Sequence, residues 1–205
     1  MIAIVDYGVG NLFSLTASFR AIGADVCVTS DAEVIRAADK IILPGVGAFE
    51  DAAKKLRASG LSDVICEEAK KGKPLLGICL GMQLLFEKSY EYGEHKGLGL
   101  IPGNVRPIAD VIPKDLKIPH IGWNALQIKG EKSPIFKYIN EGDCVYFVHS
   151  FYAADCDNYV TSVAEYGALL TASVARGNVY GCQFHPEKSG EVGLSILRAF
   201  VETEV

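Results

Sequence analysis

The stretch that most constrains this chain is Lys73–Phe86, KPLLGICLGMQLLF. Its apolar run Leu75–Ile78 has the length of a buried strand. Gly77-Ile78-Cys79-Leu80-Gly81 then predicts a sharp corner, and Met82–Phe86 predicts a helical stretch. Glycine two before and two after a nucleophile is the pattern of a strand-to-helix elbow. An elbow holds its middle residue strained and exposed, and flanking side chains would collide there. The middle residue here is a thiol, and a helix N-terminus favours a thiolate through its dipole and free amides. The elbow alone leaves open a buried structural cysteine in an apolar strand.

A second feature lies far along the chain. Val179–Phe184, VYGCQF, reads as a strand and runs into His185-Pro186-Glu187. A nucleophilic thiol needs a base, and the base needs an orienting acceptor. His185 and Glu187 supply both from one short loop. Pro186 fixes its own φ and restricts His185 to an extended backbone, which stiffens the pair. His149 is a competing base, but only His185 has a carboxylate beside it.

GICLGMQLLF together with QFHPEKS resembles the class I, triad-type glutamine amidotransferases. DYGVGN, LPGVGAF, IGWN and FVHSFY narrow the resemblance to the glutaminase subunits of imidazole glycerol phosphate synthase, over essentially the whole chain, Ile2 to Phe200. The resemblance implies an α/β fold in three layers, a mostly parallel, flavodoxin-like central sheet with flanking helices and added antiparallel strands. It implies a Cys79–His185–Glu187 triad and an oxyanion strand at Gly45, Val46 and Gly47, with the Leu80 amide as the second donor. It places Gly81, Gln83, Glu91, Ser150 and Phe151 around L-glutamine, and Asn11, Trp123, Asn124 and Lys188 at a partner interface. Phe151 stands where many relatives carry tyrosine, a change that a backbone contact survives. The implied partner is a (β/α)8 cyclase subunit in a heterodimer. No metal or other cofactor is implied.

Composition agrees with one globular domain spanning 1–205: the chain is 49% hydrophobic and 22% charged. A net charge of −5 argues against a nucleic-acid binder. No run reaches membrane-spanning length and no basic leader precedes MIAIVDYG, so a cytoplasmic protein is expected. Six cysteines without a C-x-x-C pair do not read as a disulfide frame or a zinc site. Cys27 and Cys182 sit in apolar runs and are expected in the core.

Read in order, Met1–Val5, Asp25–Thr29 and Lys40–Leu43 are expected strands, separated by helices at Leu12–Ile22 and from Ser30 or Asp31 to Ala37. Such alternation implies a parallel sheet with right-handed crossovers. The Asp6–Asn11 turn lacks the glycine spacing and the lysine of a nucleotide site. Pro44–Phe49 follows a strand end, where open α/β sheets place their ligands. Ala48–Ser59 and Leu61–Lys71 read as helices, and Tyr90–Gly99 as a loop. Gln83, one turn after Cys79, shares its helix face. Glu91 is preferred over nearby Glu87 for the substrate ammonium.

Beyond Asn104 the pattern changes. Val105–Val111, Ile118–Trp123 and Leu126–Ile128 read as short strands added to the sheet edge, followed by Val145–Val148, Tyr159–Ala164 and a hairpin, Leu169–Ala175 with Val179–Phe184. A last helix is expected over Glu191–Val201. Rival readings are a glutaminase feeding anthranilate or pyridoxal phosphate synthesis, a silent regulatory subunit of the same fold, or a cysteine hydrolase or chaperone on a related elbow.

Overall fold

A computed structural model describes residues 1–204. The strands are β1 (Ile2–Val5), β2 (Val26–Thr29), β3 (Lys40–Leu43), β4 (Leu75–Ile78), β5 (Phe86–Ser89), β6 (His95–Lys96), β7 (Ile101–Pro107), β8 (His120–Ala125), β9 (Gln127–Ile128), β10 (Cys144–His149), β11 (Phe151–Ala154), β12 (Val160–Glu165), β13 (Leu169–Arg176) and β14 (Val179–Cys182). The helices are α1 (Leu12–Ala21), α2 (Ala32–Ala37), α3 (Phe49–Ala58), α4 (Leu61–Lys70), α5 (Leu80–Leu84) and α6 (Gly190–Val201). An eight-stranded sheet runs β2-β1-β3-β4-β14-β13-β12-β9. Its β2-to-β14 half is parallel and the rest antiparallel.

Alternation along the parallel strands builds the layers. On β1, Ala3 and Val5 join one core while Ile2 and Ile4 join the other. Ile41 and Leu43 of β3 side with the first, Ile42 with the second. The first core is roofed by Ile35 of α2, Phe49 and Leu56 of α3 and Ile65 of α4. The second is roofed by Leu15 and Phe19 of α1 and by Ile196, Leu197 and Phe200 of α6. This is the expected three-layer α/β architecture, and the β13–β14 hairpin falls where it was expected.

Four expectations need correction. The helix after the elbow stops at Leu84, and Phe86 opens β5 instead of closing the helix. The carbonyls of Leu84, Leu85 and Phe86 are taken by the amides of Leu98–Ile101, which leaves the helix no acceptors with which to continue. Of the added strands, only β9 joins the main sheet; β8 pairs with β10, and β7 runs from Ile101 in a separate sheet ordered β11-β7-β5-β6. β6 itself lies inside the Tyr90–Gly99 segment read as loop. Alternation on β7 buries one face only, which suits a second layer and not an extension of a sheet covered on both faces. Cys27, expected in the core, is half-buried because β2 is an edge strand; Cys182 is fully buried.

The elbow sits where β4 passes into α5, beside the end of β3. Cys79 adopts φ 54°, ψ −113°. Its amide donates to the Cys182 carbonyl at 2.8 Å, and its carbonyl accepts from Gln83 at 3.1 Å. Both flanking glycines are required by backbone proximity. A Cβ on Gly77 would lie 2.7 Å from the Gly81 carbonyl oxygen, and one on Gly81 would lie 1.8 Å from that of Leu43. Gly81→Ala must therefore push β3 and α5 apart. It should destabilise the protein by about 3 kcal/mol or more, read as a lowered urea midpoint; a midpoint equal to wild type would contradict this packing.

Candidate active site

Cys79 opens into a cleft of about 330 Å3 lined by Val46, Gly47, Leu80, Gln83, Glu91, His149, Ser150, Phe151 and His185, among others. The cleft lies past the carboxyl ends of β3 and β4, as expected for an open α/β sheet. His185 follows β14, the strand next to β4. Its amide donates to Tyr146 O at 2.9 Å and its carbonyl accepts from Ser189 Oγ at 2.6 Å, so both sides of the residue are pinned.

The His185 ring is held at one nitrogen and shares the cleft with Cys79. Nδ1 lies 2.9 Å from Glu187 Oε1, with both side chains buried. Cys79 lines the same cleft and is the other group that acts on the ring. Burial alone would push this imidazole down, but the bonds to Cys79 and Glu187 outweigh it and raise its pKa to about 10. Glu187 Oε2 is buried without a partner among the described residues, so this carboxylate acts through His185.

His149 lines the same cleft with the opposite electrostatics. Burial pushes it down to about 4, and its Nδ1 meets the Phe151 carbonyl at 2.8 Å. A neutral ring donating to a carbonyl fixes backbone; it is not placed to take a proton from Cys79.

The remaining wall suits a small zwitterion. Gln83 Nε2 donates to Phe151 O at 3.2 Å and to Gln183 Oε1 at 3.0 Å, leaving its own oxygen unclaimed. Glu91 Oε2 accepts from Phe49 N at 2.7 Å and so caps α3, whose N-cap Ala48 has no side-chain acceptor. Its other oxygen is unclaimed, and burial pushes this carboxyl up. Glu87 instead accepts from Gly103 N and does not line the cleft. Ser150 O accepts from Ile108 N at 3.0 Å. The amides of Val46, Gly47 and Leu80 donate to nothing among the described residues, which leaves them free for a ligand oxygen. Gly45 and Gly81 do not line the cleft; they are packed against each other behind it.

Of the four proposed interface residues, two meet. Trp123 packs edge-on to Tyr146 at 6.0 Å, and Lys188 Nζ lies 5.8 Å from the same ring. Trp123 is 56% exposed. Asn124 bonds inward to His120 and to Glu165 O. Asn11 caps α1 by accepting from Ser14 N at 3.3 Å, and α1 packs on the Pro186–Lys188 turn.

Sequence reasoning missed two residues. Gln183, fully buried, donates to Cys79 Sγ at 3.7 Å; its signal is a lone amide at the end of an apolar strand. Tyr7, read only as part of a glycine turn, donates from Oη to Pro44 O at 2.7 Å.

Residues 3–203 match the family model for class I glutamine amidotransferases. The chain belongs to that family. It is 50% identical over 203 residues to imidazole glycerol phosphate synthase subunit HisH of Caldanaerobacter subterraneus subsp. tengcongensis, covering 98% of both chains. The Oceanobacillus iheyensis protein of the same description is 48% identical, again over 98% of each. Among solved structures, a glutamine amidotransferase superposes with a TM-score of 0.76 at 19% identity, covering 98% of both chains. PurLQS from Thermotoga maritima gives 0.74 at 20% identity, covering 98% of this chain and 96% of that one. At those identities the structural matches speak for the fold alone.

The His185 environment gives a direct expectation. The folded ring holds its proton far more tightly than an ordinary imidazole near 6.5. Its contribution to stability is therefore complete below about pH 6.5 and fades as pH rises through about 10. Ring NMR should show His185 protonated at pH 8 and releasing its proton near 10, with a lower value in Glu187→Gln. An ordinary titration near 6.5 in the wild type would refute the pairing.

Proposed function

We propose that this chain is the glutaminase subunit of an imidazole glycerol phosphate synthase in histidine biosynthesis. It hydrolyses L-glutamine and hands the ammonia to a cyclase subunit with a (β/α)8 barrel. The observation that carries this reading is His185, held by Glu187, in one cleft with Cys79 at an elbow, in a chain about half identical, end to end, to subunits of that synthase.

The chemistry follows from the geometry. With His185 protonated, Cys79 attacks as a thiolate on the carboxamide carbon of glutamine. The carbonyl oxygen becomes an oxyanion, which the Leu80 amide and a Val46 or Gly47 amide accept; one such donor is worth about 3 kcal/mol in the transition state. The C–N bond then breaks, and His185 Nε2 gives its proton to the departing nitrogen, releasing ammonia and leaving a thioester. His185, now neutral, takes a proton from water as that water attacks the thioester. Glutamate leaves and the thiolate–imidazolium pair returns. Glu187 holds the ring through Nδ1 and balances its charge. The glutamine carboxylate is assigned to the Ser150–Phe151 backbone, the ammonium to Glu91, and Gln83 steadies the wall between them.

Ammonia near pH 7 is protonated by bulk water and lost as a nucleophile. Delivery to a partner avoids that loss. Trp123, Lys188 and Tyr146 form an aromatic and cationic patch fit for a partner surface. Ile121 on the same strand and Phe13 at the start of α1 add exposed apolar area. No helix among the described residues is long and apolar enough to cross a membrane.

The test is glutaminase turnover of wild type, Cys79→Ala and Glu187→Gln, each with and without the cyclase subunit and its nucleotide ligand. Wild type should be slow alone and much faster in the complex. Cys79→Ala should be inactive in both states, and Glu187→Gln reduced roughly 10²–10⁴-fold. Equal turnover of wild type with and without the cyclase would rule out coupling. Trp123→Ala should keep its fold and its Cys79 reactivity while weakening complex formation, by about 2 kcal/mol if it is an interface anchor; titration calorimetry showing unchanged affinity would remove it from the interface.

A further inference from the structure

The Asp6–Asn11 loop between β1 and α1 has no part in the chemistry above. Its one buried side chain is Tyr7, whose hydroxyl donates to the Pro44 carbonyl at 2.7 Å. Pro44 is the first residue beyond β3 and leads directly into the oxyanion loop. The same β1–α1 loop touches it again: a Cβ on Gly10 would lie 3.1 Å from Pro44 Cβ. Gly45 is enclosed as well. A Cβ there would meet Gly81 N at 2.8 Å, Leu80 Cβ at 2.9 Å and the Tyr7 oxygen at 3.0 Å.

Past Gly45 the enclosure ends. Val46 is 41% exposed. Gly47 has φ +92°, and a Cβ on it would meet nothing within 4 Å. The loop is thus held at the Pro44 carbonyl and the enclosed Gly45, and open at Val46 and Gly47.

We propose that Tyr7 is a positioning residue for acyl transfer at Cys79: its hydroxyl anchors the Pro44–Gly45 peptide, so that the Val46 and Gly47 amides turn about a fixed point toward the oxyanion. The inference rests on the glutaminase reading above. Tyr7 touches no reacting atom; it acts through Pro44. Burial raises the phenol far above its usual range, with nearby Cys79 adding to the effect, so the hydroxyl remains a neutral donor throughout the working pH range. Phenylalanine would fill the same core space and leave the Pro44 oxygen without its partner. The clamp would then loosen while the ring packing stayed.

The test compares full-length wild type and Tyr7→Phe in complex with the cyclase subunit. For Tyr7→Phe, kcat should fall roughly tenfold, the scale of one lost hydrogen bond to a buried acceptor, with KM for glutamine nearly unchanged. Two electrophiles separate positioning from general structure. Iodoacetamide needs only the thiolate and should label Cys79 at the wild-type rate. 6-Diazo-5-oxo-norleucine carries a ketone where glutamine has its amide and draws on the oxyanion donors, so its labelling should slow along with kcat. Wild-type kcat in Tyr7→Phe overturns the proposal, as does an equal slowing with both electrophiles. A wild type inert toward glutamine and the ketone would instead sink the glutaminase reading.

Discussion

The site depends on a backbone approach that admits no side chain. Gly81 lies against the Leu43 carbonyl so closely that one added carbon would overlap it, and a carbon added to Gly77 would come within 2.7 Å of the Gly81 carbonyl oxygen. This contact brings the end of β3 alongside the start of α5. It therefore sets the separation between the Pro44–Gly47 loop and Cys79, which belong to distant parts of the chain. Positive φ at Cys79 is the local consequence, a strain of order 1–3 kcal/mol that the surrounding β-sheet bonds hold in place. A thiol at the end of a relaxed strand would point along the sheet, away from the amides that make the elbow useful.

Burial acts alike on the two histidines of the cleft, but their neighbours give opposite outcomes. For both it opposes protonation. His185 has a carboxylate at Nδ1 and a thiol at the other side, and the two together outweigh burial. His149 has only a carbonyl and another imidazole, and burial wins. One ring is thereby committed to carrying charge and the other to holding shape. Neighbours decide the roles of two rings on adjacent walls of one cleft.

The parts of the site legible in sequence were those written within a few consecutive residues. The glycines around Cys79 and the His-Pro-Glu run carry their geometry in local backbone constraints, and the alternation of β1, β3 and β4 carries the layers. Gln183 escaped because its partner Cys79 meets it only through β4–β14 pairing, which no local pattern encodes. Tyr7 escaped for the same reason: a tyrosine in a glycine turn says nothing about a carbonyl on another loop. The placement of β7 and β8 was misjudged because a short one-faced strand fits a sheet edge and a second layer equally well. Residues given by resemblance divide likewise. Glu91 and Gln83 line the cleft, whereas Gly81 lies behind it and Asn124 turns inward.

Asn124 turning inward ties the outer strand β8 to the glutamine wall. A chain of contacts runs from Asn124 Oδ1 to His120 Nε2 at 2.7 Å, from His120 Nδ1 to His149 Nε2 at 3.0 Å, and from His149 Nδ1 to Phe151 O at 2.8 Å. Each contact needs one proton, and two neutral imidazoles carry one fewer than the chain requires. Burial works against a third proton on either ring. Reversing the Asn124 amide would satisfy His120, but it would turn the amide oxygen toward Glu165 O and lose the 2.9 Å bond made there. Every arrangement of two neutral rings leaves one contact poor, at the His120–His149 pair or at the Glu165 carbonyl. Its far end is the Phe151 carbonyl, shared with Gln83. Turning the Asn124 amide changes the tautomer of His120, while His149 Nδ1 keeps its proton on the Phe151 carbonyl in both arrangements, so the wall beside Gln83 stays fixed.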